Sequence, residues 1–203
     1  MTKSYNLSRW FATLFLLLLS AFNCSAVDWL CFTAEKAGST IWFENEGDNN
    51  PNIQYSFDGE SWSDWNEKTT ITLENTGDKV YVRGDNPKGF SFNAKKYTHF
   101  GMKGNISSSG SVMSLIDPNE SSTEIPNSGC FFKLFSDCKS RTQAPKQPAT
   151  TLKDSCYYSL FENCENLATV PELPAMTMAK YCYSGMFSGC LNLTKAPELP
   201  SLT

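Results

Sequence analysis

One histidine, His99, is all the imidazole in 203 residues. That scarcity excludes a histidine cluster for metal or proton relay, and the setting Tyr97-Thr98-His99-Phe100 is that of a packed side chain. No nucleophile is accompanied by a base and an orienting group in a known pattern, so the chain reads as a protein that is not an enzyme, and no spacing implies a cofactor. Beyond residue 26 no apolar run approaches membrane-spanning length. Basic residues are in the minority, 17 Lys+Arg against 21 Asp+Glu, which argues against nucleic acid as a partner. Glu44, Glu46 and Asp48 are close in sequence, but they lack the spacing and the glycine of a calcium loop and read as a solvated turn.

The long apolar run that is present stands at the start. Lys3 and Arg9 precede an apolar stretch from Trp10 to Leu19, and small residues follow up to Ala26. This is the pattern of a secretory signal peptide, residues 1–26, cleaved after Ala26. A lipid anchor on Cys24 is the rival reading; the bulky, polar Asn23 before it speaks against that. Cleavage removes two basic and no acidic residues, leaving 15 Lys+Arg against 21 Asp+Glu, a net charge of −6. The expected location is secreted or on the cell surface, where disulfides are permitted. Seven of the eight cysteines remain, with Cys31 alone in the N-terminal half.

Residues 27–115 read as an antiparallel β-sandwich of short alternating runs. Candidate strands are Trp29 to Ala34, Thr40 to Glu44, Ile53 to Phe57, Thr69 to Leu73, Lys79 to Arg83, Gly89 to Asn93, His99 to Lys103 and Ser111 to Leu115. Asn49-Asn50-Pro51-Asn52, Asp58-Gly59 and Asp85-Asn86-Pro87 supply the turns. Residues 116–126 are polar, with two prolines, and read as a linker.

Residues 127–203 are written nearly three times over. Cys130, Cys156 and Cys182 form one series and Cys138, Cys164 and Cys190 another, each with a step of 26 residues. Such self-similarity marks a solenoid, whose units bury their apolar faces only by stacking. Met186, Phe187 and Cys190, like Leu160, Phe161 and Cys164, stand at helical spacing, so a short helix is expected there, followed by an extended strand at Leu193 to Ala196. The first copy is degenerate: Arg141 replaces Leu167 and Leu193, and Gln147 replaces Leu173 and Leu199. It reads as a capping unit with a more polar outer face, toward the sandwich or solvent. A complete third copy would run to position 207, so Leu193, Leu199 and Leu202 are expected on an uncovered edge, as in a fragment of a longer array or a face covered by another chain.

The motifs Met186-Phe187-x-x-Cys190-x-x-Leu193 and Leu160-Phe161-x-x-Cys164-x-x-Leu167, each leading into a Pro-Glu-Leu-Pro stretch, resemble the BspA-like leucine-rich repeats of Bacteroidetes surface proteins. The β-rich part, with Leu30-Cys31-Phe32-Thr33-Ala34, Tyr55-Ser56-x-Asp58-Gly59 and Ile71-Thr72-Leu73-Glu74-Asn75-x-Gly77-Asp78, resembles the domain that precedes such repeats. The resemblance implies a two-domain, β-rich chain: a β-sandwich, then a short α/β leucine-rich-repeat solenoid. It also implies secretion or surface display, with protein binding or adhesion and without catalysis.

The paired cysteines have seven residues between their members, too many for a structural zinc site. They are buried thiols or disulfides. The Phe-x-x-Cys face favours thiols, and three matched pairs in an exported protein favour disulfides. The candidate binding surface is the strand face of the repeats, carrying Thr142 and Gln143, then Ala168 and Thr169, then Thr194 and Lys195. Trp62 and Trp65, after the Asp58-Gly59 turn, are candidates for stacking on sugar rings; the plainer expectation is that at least one fills the core. Expected partners are an extracellular or cell-surface protein and, as an alternative, a glycan held by the sandwich. A ligand-free structural piece of a longer repeat protein is the third reading.

Overall fold

Alternation in Lys79-Val80-Tyr81-Val82-Arg83 directs Val80 and Val82 into the core and leaves Lys79, Tyr81 and Arg83 on the outer side. The computed structural model describes residues 27–67 and 69–200; the signal-peptide reading and Leu202 lie outside them. The strands are β1 (Leu30–Ala34), β2 (Ser39–Glu46), β3 (Gln54–Ser56), β4 (Ser63–Asp64), β5 (Ile71–Leu73), β6 (Lys79–Arg83), β7 (Tyr97–Lys103) and β8 (Ile106–Ser109). They form two antiparallel sheets, β4-β3-β6-β1-β8 and β5-β2-β7. Phe32 and Phe100 meet edge to face at 5.4 Å, and Phe43 meets Trp65 at 5.5 Å, so inward residues of both sheets share one core.

Two expected strands are absent. Ser111 to Leu115 is a 3-10 turn, Val112–Leu115, begun by Ser111, whose hydroxyl accepts from the Met113 N–H. Gly89 to Asn93 pairs with no strand of either sheet. Its polar groups are claimed elsewhere: Asn49 Nδ2 donates to the Phe90 carbonyl, Asn127 Nδ2 to that of Ser91, and the Ser91 N–H donates to the Cys130 carbonyl. β8, not expected, is the edge of the larger sheet.

The repeats form three coils, residues 127–152, 153–178 and from 179 onward. The expected helix is replaced by a run of tight turns, and no α-helix occurs among the described residues. Every fourth residue has positive φ: Gly129, Lys133 and Asp137, then Ser155, Ser159 and Asn163, then Tyr181, Gly185 and Gly189. Each such residue turns alternate N–H groups outward. Those of Gly129, Phe131, Lys133, Phe135 and Asp137 donate to carbonyls of Asp154, Cys156, Tyr158, Leu160 and Glu162 in the next coil, at 2.8 to 3.0 Å. The intervening N–H groups close i to i+3 turns within the coil, as Phe132 to Gly129 and Cys138 to Phe135. An α-helix would spend all its N–H groups internally and leave none for stacking. The expected strand at Leu193 to Ala196 is likewise not formed; at the equivalent place in the first coil a single parallel bridge joins Arg141 to Ile106.

Side chains stack in the same register. Phe131, Tyr157 and Tyr183 form one column with spacings of 5.7 and 5.9 Å, and Phe135, Phe161 and Phe187 another at 5.6 and 5.8 Å, with interplanar angles of 13° or less. Each column continues into the β-rich part. Phe90 lies 6.5 Å from Phe131, and Phe100 of β7 lies 5.7 Å from Phe135. The backbone follows: Phe100 N–H donates to the Leu134 carbonyl and Ile106 N–H to that of Ser140. The first coil thus covers the free edges of β7 and β8, one from each sheet, and one hydrophobic core runs from Leu30 to Met186. Residues 116–126 are tied down as well, since Ile125 is buried and its N–H donates to the Thr151 carbonyl.

The polar substitutions of the first coil are buried and not on an outer face, and Arg141 faces this junction. Arg141 is wholly buried with its guanidinium 3.8 Å from the Phe135 ring centre and 5.6 Å from that of Phe32. It donates to the Ser108 hydroxyl and the Gln143 carbonyl, its Nε has no acceptor, and it pairs with no carboxylate among the described residues. Burial lowers its pKa. Gln147 is buried too, with Nε2 donating to the Pro145 carbonyl.

Two outcomes are expected. Arg141→Leu, which copies Leu167, should keep or raise the unfolding temperature, because exchanging a buried, half-satisfied cation for a packed apolar side chain is neutral or favourable by roughly 1–4 kcal/mol. Arg141→Ala should lose about 2–4 kcal/mol through the cavity; a Leu variant as unstable as the Ala variant would show that the cation itself holds the junction. Separately, Gly129→Ala should cost more than Gly77→Ala in denaturant unfolding. Both have positive φ, worth roughly 1–2 kcal/mol, but only at Gly129 would the new methyl strike a carbonyl, that of Phe92, adding about 1–3 kcal/mol.

Candidate functional site

Because the coils repeat every 26 residues in register, any outward side chain recurs on a line across them. Gln143, Thr169 and Lys195 form one exposed line, and Thr142, Ala168 and Thr194 run beside it. The Ala168 N–H donates to the Thr142 carbonyl at 3.1 Å, and the Thr142 N–H to that of Ile106 in β8 at 3.0 Å. The stripe therefore begins at the sheet edge and crosses all three coils. Thr142 is half-buried; Gln143, Thr169, Thr194 and Lys195 are exposed.

Next to the stripe lies a feature that the sequence contained and spacing alone did not interpret. Pro145 and Pro148, Pro171 and Pro174, and Pro197 and Pro200 stand 26 residues apart in each series. They wall two clefts of about 540 Å³ each, the first between coils one and two with Lys146 and Glu172, the second between coils two and three with Lys195 and Glu198. Proline offers no N–H, so these walls present rings and carbonyls. Such a groove suits apolar side chains flanked by donors or cations.

Trp62 and Trp65 separate. Trp65 is 3% exposed, packed on Phe43, Tyr55 and Phe100, with its indole N–H on the Thr69 carbonyl, so it is a core residue and is unavailable for stacking on sugars. Trp62 is half-buried on the outer side of the larger sheet. Trp29 meets it at 4.9 Å, and the Arg83 guanidinium covers it at 4.0 Å. Arg83 in turn donates to Gln54, and Gln54 to Asp64. Neither tryptophan adjoins the stripe through a ring pair.

The acidic residues of the β2 turn diverge. Glu44 accepts from the Trp42 indole and faces His99 at 3.9 Å, while Asp48 pairs with Lys96 at 3.2 Å. Among the described residues no three His, Cys, Asp or Glu side chains are placed to share a metal ion, and no helix is long and apolar enough to cross a membrane.

All seven cysteines of the described residues are free, and six are buried, Cys190 being half-exposed. The second cysteine of each coil donates its thiol to a carbonyl one layer back: Cys138 to Phe100 at 2.9 Å, Cys164 to Phe135 at 3.1 Å and Cys190 to Phe161 at 3.0 Å. Burial pushes the Cys130 and Cys156 thiols up to about 12 and that of Cys138 to about 11. Desolvation of the thiolate is the main cause in each case.

No family model matches the sequence, and no curated protein or solved structure is significantly similar to it.

The thiols give the site's scaffold a pH dependence with a definite sign. In the unfolded chain they ionise near pH 9 and in the folded chain two to three units higher. Their contribution is intact below pH 9 and is lost between pH 9 and about 12, by up to about 1.4 kcal/mol per pH unit per thiol. Denaturant unfolding from pH 7 to 11 should show this fall, and Cys130→Ala/Cys156→Ala should flatten it. An unchanged slope in the double variant would remove the thiols as its cause.

Proposed function

We propose that the chain is a non-enzymatic, exported binding or adhesion protein, a β-sandwich followed by a short BspA-like leucine-rich-repeat solenoid, which recognises an extracellular or cell-surface protein through its coils. The reading of the family rests on the repeat motifs and on the β-rich segments that precede them. The observation that carries the binding role is the stripe Gln143, Thr169, Lys195 lying beside two proline-walled clefts, both recurring in register on successive coils. Nothing in the packing of the core requires these side chains to be where they are. The clefts favour a protein partner that inserts apolar side chains and presents basic groups to Glu172 and Glu198.

A glycan reading stays second. It keeps Trp62, whose surroundings Arg83, Gln54 and Asp64 are polar, and it loses Trp65 to the core.

Residues 27–203, displayed on beads, should retain proteins from an extracellular-matrix panel, and Thr169→Arg/Lys195→Glu with Glu172→Lys should abolish retention without lowering the unfolding temperature. Trp62→Ala should leave it intact. Glycan-array binding that Trp62→Ala destroys and the stripe variant spares would favour the second reading.

A further inference from the structure

On the outer side of the larger sheet one cation is held in place and left without a counter-ion. The Arg83 guanidinium of β6 lies over Trp62, 4.0 Å from its ring centre. Its Nε donates to Gln54 Oε1 at 3.1 Å, and Gln54 Nε2 donates to Asp64 Oδ1 at 3.0 Å. The support beneath is fixed as well. Trp29 meets Trp62 edge to face at 4.9 Å, donates its indole N–H to the Pro118 carbonyl, and lies against Gly59, where a Cβ would stand 3.4 Å from its ring. The loop that delivers Trp62 is closed by Asp58, whose Oδ1 accepts from the N–H groups of Glu60 and Ser61 at 2.8 and 2.7 Å. Among the described residues no carboxylate pairs with Arg83, and its Nη1 and Nη2 groups make no hydrogen bond. Partial burial lowers its pKa, as expected for a cation that has lost water and gained no anion.

We infer that Arg83, supported by Trp62 and Trp29, binds the carboxylate of an acidic sugar, a pyranose uronate. The inference rests on the glycan reading above, narrows it to one class of sugar, and is independent of the coils. The free edge of the guanidinium is a planar fork that matches the two oxygens of a carboxylate. Stacking on Trp62 and the bond to Gln54 orient that fork before a ligand arrives, so little side-chain freedom remains to be lost on binding. Asp64 decides between acidic ligands. Its Oδ2 makes no hydrogen bond among the described residues, so it can accept from a hydroxyl and repels a further carboxylate. A uronate carries one carboxylate and several hydroxyls on one rigid ring and satisfies both residues. An acidic peptide side chain brings the charge without the hydroxyls. Trp62 is half-buried, and the part that Arg83 leaves uncovered receives the C–H face of the sugar ring.

The test is calorimetric titration of residues 27–203 with an oligomer of galacturonic acid, compared with its methyl ester, a neutral galactose oligomer and oligoglutamate. Expected is saturable binding of the uronate that falls with added salt and is weakened at least about tenfold by methyl esterification or by Arg83→Gln. Arg83→Lys keeps the charge and loses the fork, and should weaken binding about threefold or more. The stripe variant Thr169→Arg/Lys195→Glu with Glu172→Lys should bind the uronate as the parent does. Methyl ester or galactose oligomer bound as tightly as the uronate would overturn the inference and leave the glycan reading standing. Oligoglutamate bound as tightly would overturn it by assigning Arg83 to acidic peptides, and failure of every saccharide to bind would remove both the inference and the glycan reading.

Discussion

The residue on which both parts of the molecule depend is Phe100. Its N–H donates to the Leu134 carbonyl, its carbonyl accepts the Cys138 thiol, and its ring lies between Phe32 of the larger sheet and Phe135 of the first coil. Within the coils the same three roles fall to Phe135 toward the second coil and to Phe161 toward the third. β7 therefore serves as a layer before the first, built from a strand instead of from turns. An edge strand's unsatisfied N–H groups and a coil's unsatisfied carbonyls cancel one another, so the sheets lose two exposed edges while the coils gain a template. Stacked repeats are individually unable to bury their apolar faces. Here the first coil does so against the sheets.

That template also accounts for the composition of the coils. A turn repeated every four residues needs positive φ at each fourth position, and six of the nine such positions are not glycine. Each costs roughly 1–2 kcal/mol, which is tolerable only because each turn also places a ring in a column and an N–H in the ladder. The second cysteine is a small apolar side chain with one weak donor, and the space behind each ring provides one carbonyl. Serine would meet the hydrogen bond and lose burial; alanine would do the reverse. Arg141 is the exception that the junction permits: its neighbours are Phe32, Ser108 and Met102 of the sheets, where leucine in later coils meets another coil.

Much of this was legible. Lys79 to Arg83 matches β6 at both ends, because period-two alternation beside a Gly-Asp turn has no competing solution. The 26-residue period and the exposed stripe followed from the repeat alone. The helix did not, and the reason is numerical: Phe131 to Phe135, Tyr157 to Phe161 and Tyr183 to Phe187 are four apart with a cysteine three further on, which fits a helix of 3.6 residues per turn and a chain of four-residue turns equally well. Only the demand for N–H groups between coils separates the two, and that demand is non-local. The same holds for Gly89 to Asn93, whose apolar alternation is real but whose carbonyls are bonded by Asn49 and Asn127, distant in sequence. Trp65 and Trp62 differ in burial although they stand three residues apart, since β4 is two residues long and its neighbours leave it on opposite sides.

A repeat that fixes the interior this tightly constrains what its surface can say. Positions held by stacking keep one chemistry in every coil, a phenylalanine at Phe135, Phe161 and Phe187, an aromatic ring at Phe131, Tyr157 and Tyr183 and a thiol at Cys164, so they have little room to vary. Under the binding role proposed above, discrimination falls to places where successive coils differ on the outside: Gln143, Thr169 and Lys195 along the stripe, and Lys146 beside one cleft where Glu172 and Glu198 stand in register. On the interior side the same logic applies to Arg141. The coil that departs most from the pattern is the one that meets something other than a coil, and its departure at Arg141 points at the sheets. At Arg141 a deviation from the repeat thus marks a contact that is not another coil, and the binding role proposed above gives the same meaning, on the outer face, to the stripe and the cleft rims.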